Sequence, residues 1–185
     1  MRRAVVADRT PNLIAVHYDL NRWRVRNALL IPRFAFTMSA IERRPPLAST
    51  ARRTGWVGCN IMLCNIPDDA KIELVREGVP LNSEVVRRKY SQLKPLAHLG
   101  AGLREWALDV LKIARSMESA IFSLDQLYAC EEQLKRLHPT NLRIKPKIRQ
   151  QLQKLRDLRI IEFVGDGHYR FLNSGLVGAG IEQSQ

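Results

Sequence analysis

The tightest constraint on the fold lies in the second half of the chain, where three amphipathic patterns run straight into a hairpin signal. Leu103, Trp106, Ala107, Val110, Ile113 or Ala114, and Met117 recur at three- and four-residue spacing, so residues 103–117 read as a helix that buries one face. FSLDQL, residues 122–127, is a capping box, with Ser123 at the N-cap, Gln126 three positions on, and Phe122 placed to staple onto Leu127. This second helix is expected to run to about Leu137 and stop before Pro139. A third is expected from Pro146, where a missing N–H costs nothing, with Ile148, Leu152 and Leu155 as its buried stripe. RIIEFVGDGHYRFL, residues 159–172, then supplies two strands about Gly165-Asp166-Gly167. Three helices followed by a hairpin is the order of an α+β winged helix-turn-helix. The small, polar NSGLVGAGIEQSQ, residues 173–185, reads as a flexible tail.

The first half is mixed α/β. Strands are expected over 12–19, over 22–34 with Trp23, Val25 and an apolar ALLI run, and over 71–78, ended by Gly78. A helix follows from Asn82 or Ser83 through SEVVRRKYSQLK, and the segment 43–61 reads as a long loop. Three strands and a helix or two in about 95 residues is thin for a free-standing α/β layer. KPLAHLGAG, residues 94–102, has linker composition. The expected organisation is therefore 1–95, a linker at 96–102, 103–172, and a tail at 173–185.

At 185 residues and 45% hydrophobic, the chain has enough apolar mass for real cores. Its net charge of +12 is segregated: residues 1–60 carry 11 basic and 3 acidic side chains, 61–142 carry 11 and 11, and 143–170 carry 8 and 3. Two positive blocks about a neutral middle suit a polyanion that both touch, with nucleic acid the first candidate. No run of 18 apolar residues is present and MRRAVVADRTPN lacks a signal-peptide core, so no membrane role and a cytoplasmic location are expected. Cys59, Cys64 and Cys130 are odd in number and lack C-x-x-C spacing, which supports neither a disulfide framework nor a zinc site.

Two surfaces stand out. In RRPPLASTARRTGWVGCNI, residues 43–61, Arg43, Arg44, Arg52 and Arg53 crowd like charges that repel unless an anion lies across them. Pro45 and Pro46 would stiffen the path, and glycines 55 and 58 let backbone pass close to a ligand at Trp56. That indole suits stacking on a base or packing on a methyl group; equally, it suits a plug in the core. On the third helix, the stripe leaves Lys147, Gln150, Gln153 and Lys154 outward with Arg149 and Gln151 on the flanks, a mixture of phosphate-binding cations and base-reading amides. His168 and Arg170 lie on the wing behind it. No catalytic or metal-binding residue is assigned. PDDAK, residues 67–71, has the letters of a magnesium nuclease site, but Asp68 and Asp69 are neighbours in a turn rather than carboxylates converging from separate strands.

RRPPLASTARRTGWVGCNI together with RQQLQKLRDLRIIEFVGDGHYR closely resembles the DpnI-like, Dam-replacing methyl-directed type II restriction endonucleases. ADRTPN, LLIPRF and FSLDQLY extend the likeness over nearly all of residues 1–172. The resemblance implies a PD-(D/E)xK nuclease domain with a cysteine-ligated zinc, then a winged helix, both recognising GATC with N6-methylated adenine before magnesium-dependent cleavage. It places Trp56 against the methylated adenine and carries DNA recognition to Arg52, Arg53 and the third helix with its wing. In the family the zinc cysteines and the acidic motif lie upstream of the point matching Met1. The expectation is thus an α/β remnant of the nuclease domain followed by the winged helix, with no magnesium or zinc held by this chain and its missing half on a separate chain. A non-enzymatic winged-helix transcriptional regulator is the alternative.

Overall fold

The structure, a computed structural model, describes residues 2–172; the tail expected over 173–185 lies outside the described residues. Helix α1 (Arg2–Val6) leads into strands β1 (Leu13–Asp19) and β2 (Arg24–Ile31), which pair antiparallel. The turn between them is set by Asp19, whose carboxylate accepts the amides of Asn21 at 3.0 Å and Arg22 at 3.2 Å. Trp23 belongs to this turn and not to the strand expected over 22–34: its φ is 49° and its side chain is 80% exposed. Beyond β2, Pro32 starts two short 3-10 turns that bury Phe34, Ala35 and Ala40.

The segment 43–61, expected as a loop, is largely a hairpin of β3 (Ile41–Pro46) and β4 (Val57–Ile61). Strands β5 (Ile72–Arg76) and β6 (Val79–Pro80) then complete a four-stranded sheet in the order β1-β2-β5-β6. Ile31 and Ile72 are fully buried where β2 and β5 meet the core. Helix α2 (Ser83–Leu93) starts as its sequence indicates, with Asn82 Oδ1 accepting the amide of Glu84 at 2.7 Å. Residues 94–98, of linker composition, form a 3-10 turn with Leu96 in the core.

Helix α3 (Ala101–Arg115) is buried on most sides, with Trp106, Ala107, Leu108, Val110, Leu111, Ile113 and Ala114 all inside. A one-sided stripe becomes two-sided because layers lie against both faces. Toward the first half, buried Arg104 pairs with Asp8 and donates to the Leu99 carbonyl at 2.9 Å. Farther along, Glu105 accepts the Met38 amide at 2.7 Å, Lys112 donates to Asn65 at 3.2 Å and Arg115 to Asp69 at 2.7 Å. Toward the second half, the Arg115 guanidinium lies 3.7 Å from the ring centroid of Phe171.

Strand β7 (Ile121–Ser123) precedes α4 (Leu124–Ala129), and the capping box forms as its letters demand: Ser123 Oγ accepts from Gln126 N at 3.1 Å while Gln126 Oε1 accepts from Ser123 N at 2.7 Å. The single helix expected to Leu137 is broken at Cys130, and α5 (Glu131–Leu137) opens with two acidic residues in the turn where a helix dipole favours them. Helix α6 (Ile144–Asp157) begins two residues before Pro146, which still falls in the first turn, where no N–H has an intrahelical acceptor. Strands β8 (Ile161–Gly165) and β9 (His168–Phe171) form the expected hairpin, with positive φ at Gly165, Asp166 and Gly167. β7 joins them as a third strand, in the order β7-β9-β8, and brings Phe122 to Phe171 as a tilted ring pair with centroids 5.0 Å apart. One hydrophobic cluster runs unbroken from Val5 and Phe34 through Leu96 and Leu108 to Leu152 and Phe171.

Candidate nucleic-acid interface

The β3–β4 hairpin stands apart from the larger sheet as a two-stranded ribbon. Its register breaks between Arg43 and Pro46, since Pro45 and Pro46 have no N–H to give the ladder. The tip is ordered by its own backbone: Leu47 N donates to Trp56 O at 2.9 Å and Gly55 N to Leu47 O at 3.2 Å. Thr54 Oγ1 donates to the carbonyls of Ser49 and Ala51. Gly55 sits at a φ of 74°, which any side chain would strain. Arg43, Arg44, Arg52 and Arg53 are all exposed, and none has an ion-pair partner among the described residues. Trp56 is not a core plug. It is 54% exposed, and its ring lies over Gly58 so closely that a Cβ there would be 2.9 Å from it and 3.5 Å from Cδ of Arg44.

Helix α6 presents Arg149, Gln150 and Gln153 to solvent, with Lys147 and Lys154 half-buried. Gln151, expected on the flank and assigned to DNA, is corrected: its side chain is 0% exposed. At 100° per residue, position 151 lies about 40° from Leu155 and about 60° from Ile148, at the edge of the buried stripe, and packing covers it there, so this amide cannot reach a groove. Lys147 Nζ donates to Gln150 Oε1 at 2.8 Å, and the Arg149 guanidinium lies 5.7 Å from the Tyr128 ring. On the hairpin behind, His168 is exposed with Nδ1 2.9 Å from the Asp166 carbonyl. Arg170 is exposed but held by Glu162 at 2.6 Å, a carboxylate that a phosphate would have to share or displace.

A cluster that sequence reasoning left scattered closes the base of this surface. His138 stacks on Trp106 at 3.7 Å between ring centroids, and its Nε2 lies 2.8 Å from Asp109 Oδ2. The contact pins the turn that carries the chain from α5 to Arg143 and the start of α6. Beside it, an open depression of about 740 Å³ is lined by Trp106, His138, Leu142, Arg143, Lys147 and Gln150. Nothing local signals the pairing, since Asp109 and His138 are 29 residues apart.

The residues of PDDAK do not form a metal site. Asp68 is paired with Lys71 at 2.6 Å and Asp69 with Arg115 at 2.7 Å, and nearby Glu73 is bonded to Arg76. Among the described residues, no three His, Cys, Asp or Glu side chains are grouped to hold an ion. Neither the magnesium nor the structural zinc that the resemblance implies fits the donors among the described residues. No helix among the described residues is long and apolar enough to cross a membrane.

Residues 1–99 match the Dam-replacing family (DpnI), and residues 102–171 match the Dam-replacing helix-turn-helix domain. The second match coincides with the helices and hairpin that carry the α6 surface, and the first contains the arginine hairpin with Trp56. The matches leave out only Gly100, Ala101 and Leu172 of the described residues, and the chain belongs to the Dam-replacing, DpnI-type family, whose domains make it a DNA-binding protein of restriction type.

Proposed function

We propose that the chain binds duplex DNA carrying N6-methyladenine in GATC through two surfaces. On one, the β3–β4 hairpin sets phosphates against Arg43, Arg44, Arg52 and Arg53 and lays Trp56 on the methyl group. On the other, residues 101–171 act as a winged helix, with Lys147, Arg149, Gln150 and Lys154 of α6 in the major groove and His168 and Arg170 on the wing beside it. A PD-(D/E)xK ancestry for the first half belongs to the same proposal.

The observation that carries it is the exposed indole of Trp56 framed by arginines without acidic partners. A large apolar ring held in water next to unneutralised cations is unfavourable in the free protein and favourable against a methylated, phosphate-flanked base. The regulator alternative gives this hairpin no role.

The test is fluorescence anisotropy with methylated and unmethylated GATC duplexes over a salt series, in a background where Gln150 and Lys154 are replaced by alanine. Neutralising Arg52 and Arg53 is expected to weaken binding to either duplex and to flatten the log–log salt slope by about 0.9 per lost phosphate contact. Trp56→Ala is expected to shrink the methyl preference by about 1–2 kcal/mol with the slope nearly unchanged. A methyl preference that survives Trp56→Ala intact in that background would overturn the reading of the hairpin.

A further inference from the structure

Leu142 is 92% exposed, more than any other large apolar side chain among the described residues. Single exposed leucines are common and by themselves signify nothing. This one stands just before Arg143, the N-cap of α6, and an apolar residue at that position ordinarily staples onto the fourth residue of the helix. The fourth residue of α6 is Lys147, whose ammonium is turned to Gln150 Oε1 at 2.8 Å, and the staple does not form. Leu142 thus has neither a core nor a capping role.

The turn that holds it outward is braced from both sides. Asn141 Oδ1 accepts the Arg143 amide at 2.8 Å, and the Asn141 amide donates to the His138 carbonyl at 3.0 Å. His138 is in turn fixed by the Trp106 ring and the Asp109 carboxylate. Leu142 is therefore presented from a fixed base, at the rim of the depression that it lines with Arg143, Lys147 and Gln150. Arg143 is exposed, and no acidic partner meets it among the described residues.

We infer that Leu142 is a specificity-determining residue that packs on the C5 methyl group of the thymine in GATC. The start of a recognition helix is the part that meets base edges, and the thymine methyl is the apolar group that unmodified bases present in the major groove. Arg143 beside it suits a phosphate flanking that base. Cytosine in the same place would bring an amino donor and no methyl, and a leucine laid against that donor leaves it unpaired. The contact thereby favours thymine over cytosine at this position, and it is separate from the reading of adenine by Trp56. It rests on the reading of α6 as a DNA face.

The test measures binding of the full chain to two N6-methylated GATC duplexes, one with thymine and one with deoxyuridine in its place on both strands. Uracil pairs as thymine does and lacks only the methyl group. The parent protein is expected to bind the uracil duplex roughly threefold to fivefold more weakly. Leu142→Ala is expected to weaken binding to the thymine duplex by a similar factor and to bind the two duplexes equally. Leu142→Met keeps an apolar side chain and is expected to retain the response to uracil. Since Leu142 lies outside the core, its variants should melt with the parent. Lys154→Ala serves as the phosphate control and weakens both duplexes alike. If Lys154→Ala weakens binding while uracil has no effect on the parent, or has the same effect on the parent and on Leu142→Ala, the thymine inference is wrong and α6 remains a DNA face. If neither Lys154→Ala nor Arg149→Ala changes affinity for either duplex, the helix does not face DNA and both readings fall.

Discussion

Gly58 shows how one hydrogen atom can govern a site. A methyl group there would stand 2.9 and 3.0 Å from two ring carbons of Trp56, so Gly58→Ala must lift the indole off the hairpin. Because hairpin and ring are both at the surface, global stability is expected to change by less than about 0.5 kcal/mol in urea unfolding. The methyl preference should nevertheless fall as it does in Trp56→Ala, a split that a binding titration and an unfolding curve on the same variant will reveal. Arg104 is the opposite case. Its guanidinium is buried at 3% exposure, with Asp8 as its charge partner and the Leu99 carbonyl as a second acceptor. Removing the carboxylate with Asp8→Ala leaves a cation largely out of water, and a loss of about 2–4 kcal/mol is expected in chemical denaturation. Arg104→Met is expected to cost less, because it removes the charge together with its need for a partner.

At the level of elements, α4 and α6 depend on different forces. The capping box satisfies two backbone donors at the start of the six-residue α4, and Ser123→Ala is expected to destabilise by about 1 kcal/mol in thermal melts followed by circular dichroism. Helix α6 depends on its stripe, and truncating fully buried Leu152 to alanine should cost about 2–5 kcal/mol. Gln151 sits in that same stripe with an unpaired oxygen. Gln151→Leu is therefore expected to be neutral or to stabilise by about 1 kcal/mol in urea unfolding. Glu77 anchors the β5–β6 turn to β2 through bonds from Arg26 and Asn27, and these hold its carboxyl below the usual range. Whatever stability it adds is present above its unfolded value and is lost as pH falls through the lowered folded one.

For the whole molecule, α3 decides the cooperativity. It belongs to the core of the second half, yet Arg104, Glu105, Lys112 and Arg115 are all bonded to the first. Arg115 alone joins Asp69 to the ring of Phe171 on β9. With one hydrophobic cluster running through both halves, the chain is expected to unfold in a single calorimetric transition. Two separated transitions would show that the halves fold independently. Residues 1–95 expressed alone should aggregate or exchange their amides rapidly, because Phe34, Ala35 and Ile66 lose the α3 side of their cluster.

Much of this was legible along the chain because it depends on near neighbours. The N-cap at Asn82, the capping box at Ser123, the stripe through Ile148, Leu152 and Leu155, and the turn at Gly165-Asp166-Gly167 are each set by residues within a few positions of one another. The arginines and Trp56 were visible for the same reason: charge density and the glycines about an indole are local facts. What depends on distant partners was not legible. The proline-containing segment from Ile41 showed no strand pattern, and only pairing with β4 made it one. Gln151 has the letters of a groove-reading residue, and the packing of α6 put it inside. His138 looked isolated until folding brought it to Trp106 and Asp109. Local periodicity determines which elements form and which face is apolar, because those depend on backbone geometry shared by every chain. Which polar groups are covered, and by what, is decided only when the layers close, since burial belongs to the assembled surface and not to any residue by itself.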